Sequence, residues 1–260
     1  MIKKVLTFIK REGTFPLFVK VLDRFFIPFG ISFLTYLKLK DSSIETNPFV
    51  KKKFNNKQIF SKIYKNAYWQ SGESKSGSGS DLDNLKNYNI NLDNFFEKYQ
   101  IKSMLDIPCG DFLFMEKFLK NKNIKYTGGD IVEELIQNNK KKYKNYKFEV
   151  FDIINNHKNE KFDVLHVKDC LFHFSFNDIW KVIENISSFE TKYTLITSHK
   201  SLIMKNLDIE SGEFRHLDLE KKPFNFPKPI YKIYEYKFNI TLFPRFVGVW
   251  KTKDLRQYFN

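Results

Sequence analysis

The sequence predicts an α/β fold: a doubly wound, mostly parallel sheet of seven strands with an antiparallel edge, preceded by a helical extension. Three observations predict it. Short apolar runs alternate with helical patterns from residue 95 onward, and that alternation builds a parallel sheet covered on both faces. Asp111, Asp130, Asp152 and Asp169 each stand at or just past the end of one of these runs, where the carboxyl ends of parallel strands gather. The last two runs follow one another with no clear helix between them, which suits antiparallel strands added to one edge.

In chain order, Ile2–Leu39 reads as an amphipathic helical extension. Its uncharged stretch, Phe25–Leu37, has 13 residues, short of the ~20 needed to span a bilayer. Lys10, Arg11 and Glu12 cut off the apolar run that a signal peptide would need. Packing on the domain or on a second subunit is favoured over lying on a membrane surface. The segment therefore leaves room for a homodimer, and for peripheral contact with the inner membrane face through residues 1–40. Asp41–Asn56 is polar, with Pro48 and a Lys run, and sets the boundary: an extension over 1–58 and one domain over 59–260.

Ile59–Trp69 reads as a short helix, followed by the small-residue loop Ser76–Ser80. Asp81–Leu85 reads as the start of the next helix, with Ser80 as its cap. The predicted strands are Ser103–Ile107, Lys125–Thr127 leading into Gly128-Gly129-Asp130, Lys147–Phe151, Asp163–Val167, Tyr193–Thr197, Ile230–Tyr236 and Arg245–Lys251. The helices between them are Met115–Lys120, Val132–Lys142 and Asp178–Phe189, the last with Ile179, Val182, Ile183 and Ile186 on one face.

At 260 residues the chain is long enough for one sizeable core and a short extension. The net charge of +14 would suit nucleic acid, an anionic membrane or an anionic small molecule. The densest basic runs, Lys51–Lys53 and Lys140–Lys142, lack interleaved aromatics, so a nucleic-acid platform is disfavoured and solvated faces explain most of the charge. Cys109 and Cys170 are far apart in sequence, which fits a reducing, cytoplasmic compartment. No Cys/His cluster has zinc spacing, so no metal site is expected.

The acidic residues at the strand ends describe a cofactor crevice. Gly110, in Leu105-Asp106-Ile107-Pro108-Cys109-Gly110-Asp111, lets the backbone turn tightly against a ligand. Asp130 follows Gly110 by 20 residues, the spacing at which a carboxylate meets ribose hydroxyls. Asp152 stands where an adenine edge would lie. A nicotinamide cofactor would use the same crevice. However, G-x-G-x-x-G is absent, with Pro108 and Phe112 at positions that a pyrophosphate needs small. An acidic loop suits the sulfonium and ammonium of S-adenosylmethionine better than it suits NAD.

At these residues the chain resembles the class I S-adenosylmethionine-dependent methyltransferases, which have a Rossmann-like fold. Within them it resembles a bacterial family found in capsule and surface-polysaccharide gene clusters. The matching segments are SGSGS (Ser76–Ser80), LDIPCGDF (Leu105–Phe112), YTGGDIV (Tyr126–Val132), FDVLHVKDCLFHFS (Phe162–Ser175) and NLDIESGEFRHLDL with PFNFPKP (Asn206–Leu219, Pro223–Pro229). The resemblance implies that Asp106 and Gly110 line the methionine end, that Asp130 binds the ribose, and that Asp152 approaches the adenine, with Pro108, Asp111, Ile131 and Ile153 also in the expected cofactor set. Lys168, Asp169 and Ser78 complete the expected cofactor set.

Methyl transfer to a hydroxyl requires alignment and removal of a proton. His173, after the fourth strand, and His199, at the end of the fifth, are the candidate bases; His166, inside the fourth strand, reads as structural. Trp69, Arg215, His216 and Asn225 are the candidate acceptor contacts, Arg215 as a clamp for phosphate or carboxylate. The Ser76–Ser80 loop, with Trp69, would serve as a lid. The expected activity is O-methylation of a sugar, nucleotide-sugar or phosphorylated precursor of a surface polysaccharide. The alternatives are N- or phosphoryl-group methylation of a capsule modification precursor, and methylation of RNA.

Overall fold

The computed structural model describes residues 21–22, 24–25, 44–50, 54–72, 74–77, 85–200, 205–234 and 245–259. Of the predicted extension, only Val21, Leu22, Arg24 and Phe25 are described before residue 44, and they are helical; the rest of Ile2–Leu39 lies outside the described residues. No described helix is long and apolar enough to cross a membrane.

The described elements are β1 (Ile44–Glu45), α1 (Asn56–Lys65), α2 (Lys86–Lys98), β2 (Ser103–Asp106), α3 (Leu113–Leu119), β3 (Lys125–Asp130), α4 (Glu133–Lys142), β4 (Lys147–Val150), β5 (Phe162–Val167), α5 (Phe176–Ser188), β6 (Thr191–His199), β7 (Phe214–Arg215), β8 (Tyr231–Tyr234), β9 (Arg245–Lys251) and α6 (Thr252–Phe259). Seven of the strands form one sheet in the order β4-β3-β2-β5-β6-β9-β8. Neighbours from β4 to β6 are parallel, and β9 runs antiparallel to both β6 and β8. The reversed strand therefore sits one place in from the edge.

Alternation along the strands divides the core in two. On one face Met104, Tyr126, Phe148, Val164, Leu195 and Val249 meet apolar residues of α2, α3 and α4. On the other, Leu105, Ile107, Leu165, Val167 and Ile196 meet α5 and Leu255 of α6. Helix α5 is capped by the Ser175 hydroxyl, which accepts from the Asp178 N–H at 3.2 Å. It buries Ile179, Val182, Ile183 and Ile186, each contributing roughly 1.5–3 kcal/mol by leaving water.

Three local readings differ from the structure. The helix expected over Ile59–Trp69 is α1, which starts earlier because Asn55 and Gln58 form a reciprocal capping box. The helix expected to start at Asp81 under a Ser80 cap begins at Lys86, after Leu85, with no side-chain cap; residues 78–84 lie outside the described residues. The C-terminal helix α6 carries only one short apolar face and was not expected from its pattern. In addition, β1 pairs antiparallel with β7, and the Asn47 amide donates to the Gly212 carbonyl at 3.0 Å. The segment before α1 is thus joined to the segment that follows β6.

Candidate functional site

The chain leaves β2 for β3 and β4 on one side and returns to β5 and β6 on the other. The carboxyl ends of β2 and β5 flank the switch point, where open α/β sheets bind ligands. A crevice opens there, with about 1150 Å³ of empty space that includes open solvent. Asp106, Pro108, Gly110, Asp111, Asp130, Ile131, Asp152, Ile153, Lys168 and Asp169 all line it, as do Trp69 and His173.

The loop after β2 is held from three sides. Gly110 has φ +55°, a conformation open to glycine at little cost, and a Cβ there would stand 2.7 Å from the Ser76 Oγ. Its N–H donates to Asp130 Oδ2 at 3.2 Å, and its carbonyl accepts from the Asn139 amide of α4 at 2.8 Å. Asp111 faces the preceding loop: its carboxylate accepts from Ser74 Oγ at 2.8 Å and from the Lys75 N–H at 2.9 Å, while its own N–H donates to Ser76 Oγ at 2.9 Å. Phe112, also left-handed at φ +61°, turns its ring into a cluster with Tyr126, Tyr143, Tyr146 and Phe148. That packing anchors the end of the loop.

Asp130 accepts from the Val132 N–H at 2.9 Å as well as from Gly110. Burial pushes its carboxyl up to about 6, against these hydrogen bonds. Asp152 caps its own turn, accepting from the Ile154 N–H and the Asn155 amide at 2.9 and 2.7 Å. Asp169 is different in kind. Burial opposes its charge, but Arg245 and Lys168 hold it well below the usual carboxylate range, with Lys168 Nζ at 2.5 Å. Its charge is therefore compensated, and Asp106, Asp130 and Asp152 supply the acidic character of the crevice.

His173 ends a 3-10 turn, Leu171–His173, after β5. Its Nδ1 lies 2.8 Å from the Glu213 carbonyl, which accepts, so Nδ1 carries the hydrogen and Nε2 the lone pair. The ring stacks on Trp69 with centroids 4.4 Å apart. Burial lowers its pKa to about 4.

The other candidates lie elsewhere. His199, Arg215, His216 and Asn225 are not among the residues that line the crevice. His199 is buried, its Nδ1 accepting from the Leu217 N–H at 3.1 Å, and burial followed by His216 and Arg245 pushes its pKa well down. Arg215 is 1% exposed; it donates to the Leu171 carbonyl at 3.3 Å and lies over the Phe176 ring. His216 packs edge-on against His199. Asn225 is exposed in a turn at φ +47°, its amide donating to the Pro223 carbonyl. Ser78 lies outside the described residues.

Sequence reasoning missed part of the walls and, at the floor, the partners of Asp106. Phe60, Ile63 and Tyr64 of α1, with Lys75 and Phe174, also line the crevice, as does Ser76 from the expected lid loop. At the floor, Asp106 Oδ1 lies 2.7 Å from His166 Nδ1, and the Tyr126 hydroxyl donates to Oδ2 at 2.7 Å. Tyr88 of α2 places its hydroxyl 2.7 Å from His166 Nε2. The one available signal was a tyrosine two positions before Gly128, which puts both on one face of β3. No group of three or more His, Cys, Asp or Glu able to hold a metal occurs among the described residues.

Residues 100–230, half of the chain, match the family model for a methyltransferase domain. No curated protein matches the sequence. Solved structures share the fold at low identity. An S-adenosylmethionine-dependent methyltransferase from Leishmania major has a TM-score of 0.59 at 12% identity, over 79% of this chain and 87% of that one. The 1,6-didemethyltoxoflavin N1-methyltransferase of Burkholderia thailandensis has 0.53 at 13%, over 80% and 95%. The magnesium protoporphyrin IX methyltransferase of Synechocystis PCC 6803 has 0.51 at 10%, over 77% and 99%.

Proposed function

Since the chain belongs to the methyltransferase-domain family, we propose that its crevice binds S-adenosylmethionine and serves transfer of the methyl group to an oxygen of a small acceptor. The acceptor class is a sugar, nucleotide-sugar or phosphorylated precursor of a surface polysaccharide. One observation carries the reading: Asp106, Asp130 and Asp152 meet apolar walls at the switch point of the sheet.

The residues fit the cofactor. Each carboxylate has about four lone-pair sites, and two donors occupy those of Asp130, so a ribose diol can still be received. Gly110 keeps the backbone close without a side chain. When bound, S-adenosylmethionine supplies a methyl group on a sulfonium. Asp106 would hold the amino-acid end and Asp152 the base, and Phe60, Ile63, Tyr64 and Trp69 would exclude water from the outer wall. His173 presents Nε2 to accept the acceptor's proton, oriented by Glu213 and Trp69.

A second reading is methylation of nitrogen, which needs no strong base. It is favoured by burial lowering the His173 pKa to about 4, which makes the imidazole a weak base. Incubating the purified protein with a labelled methyl donor, nucleotide-sugars, amine acceptors and RNA separates the readings. Label on nucleotide-sugar oxygens is expected. Label on RNA or protein alone overturns the proposal.

A further inference from the structure

The floor of the crevice contains more polar machinery than the fold requires. Asp106 and His166 are register partners on the neighbouring strands β2 and β5, so their side chains leave the sheet on the same face. Both are buried, and both also line the crevice. Gly128 pairs with Asp106 on the other side. A Cβ at Gly128 would lie 2.9 Å from the Tyr126 hydroxyl oxygen, so the absent side chain is what lets that hydroxyl pass over β3 and reach the carboxylate. From above, Tyr88 closes the chain of contacts on His166. Burial, and after it Asp106, push the Tyr126 pKa well up, so its hydroxyl stays a donor.

A buried carboxylate is stable only with partners of this kind. Apolar side chains would fill the same space without any need for a relay, yet this carboxylate is held at 2.7 Å on each oxygen by a separate donor and still faces the cavity. We infer that Tyr88, His166 and Tyr126 form a positioning relay that holds the Asp106 carboxylate in one orientation to receive the ammonium group of an amino-acid-bearing nucleoside. The inference rests on the cofactor reading above and adds the residues that position its amino-acid end. Tyr88, His166 and Tyr126 act through Asp106 and are positioning residues.

Binding of two nucleosides tests it. S-adenosylhomocysteine has the amino-acid end and 5′-methylthioadenosine does not. Tyr126→Phe and His166→Leu should each weaken S-adenosylhomocysteine about tenfold or more, because a hydrogen bond to a charged group is lost, and should leave 5′-methylthioadenosine nearly unchanged. His166→Asn, whose amide nitrogen takes roughly the place of Nδ1, should restore most of the affinity. Thermal melts identify variants that fail to fold, and Tyr126→Phe, which removes one oxygen, remains available if His166→Leu does not fold. Equal weakening of both nucleosides, or no weakening of either, overturns the relay. Wild-type protein that binds neither nucleoside overturns the cofactor reading itself.

Discussion

Single side chains carry the chemistry, and their environments set when they can act. Burial pushes Asp130 up to about 6, outweighing the backbone N–H groups of Val132, Gly110 and Ile131 that favour its charge. Its carboxylate is available above that value and is lost below it. The Michaelis constant for the cofactor should therefore rise as pH falls through about 6, and Asp130→Asn should raise it at every pH and flatten the profile. His173 is fixed in one tautomer by the Glu213 carbonyl. If an oxygen acceptor is used, His173→Ala should lower kcat about 10²–10⁴-fold with little change in cofactor affinity. A nitrogen acceptor would leave kcat nearly intact, so steady-state kinetics on this one variant separates the two readings. His166 shows how a residue's type and its role can part company: it was legible as a strand residue, while its link to Asp106 depends on sheet register.

Among the elements, the described part of the loop after α1 is joined to the loop after β2 through Asp111. Ser74, Lys75 and Ser76 are gathered by Asp111, which also lines the crevice. Asp111→Ala should loosen the loop by removing the carboxylate bonds to Ser74 Oγ and the Lys75 N–H, each worth about 1 kcal/mol on a partly exposed group, while the backbone bond to Ser76 remains. Hydrogen exchange at residues 74–77 should quicken while the protection of β2 and β3 stays unchanged. Helix α5 shows the opposite case, an element held by packing. Ile183→Ala should cost about 2–5 kcal/mol, read as a lower urea midpoint, since Ile183 is 2% exposed in the second core. The periodicity of α5 was plain in its own residues. The anchoring of the 74–76 loop was not, because it depends on a partner 35 to 37 positions away.

For the whole molecule, buried histidines set the response to acid. Burial lowers His173 and His216 to about 4 and pushes His199 well down, so the unfolded chain binds protons near pH 6.5 that the folded chain refuses. Stability gained from these groups rises with pH from about 4 to about 6.5 and then levels off. Asp130 works in the opposite direction between about 3.8 and about 6, because the folded form keeps a proton that the unfolded form has lost. Three groups outweigh one, so the urea midpoint should climb between pH 4.5 and 6.5; a midpoint that falls over that range would contradict these assignments. By itself the sequence determined the alternation of strands and helices, the strand ends, and the carboxylates that stand at them. These are local properties: hydrophobic period and strand-end position are carried by consecutive residues. Only the tertiary structure decided which side chains reach the crevice. It buried His199 and Arg215 outside the crevice lining, tied Asp111 to the preceding loop, and joined Tyr88, His166, Asp106 and Tyr126 across separations of 20 to 78 positions. Such contacts depend on strand register and on which face a helix covers, and neither is written in any short stretch of chain.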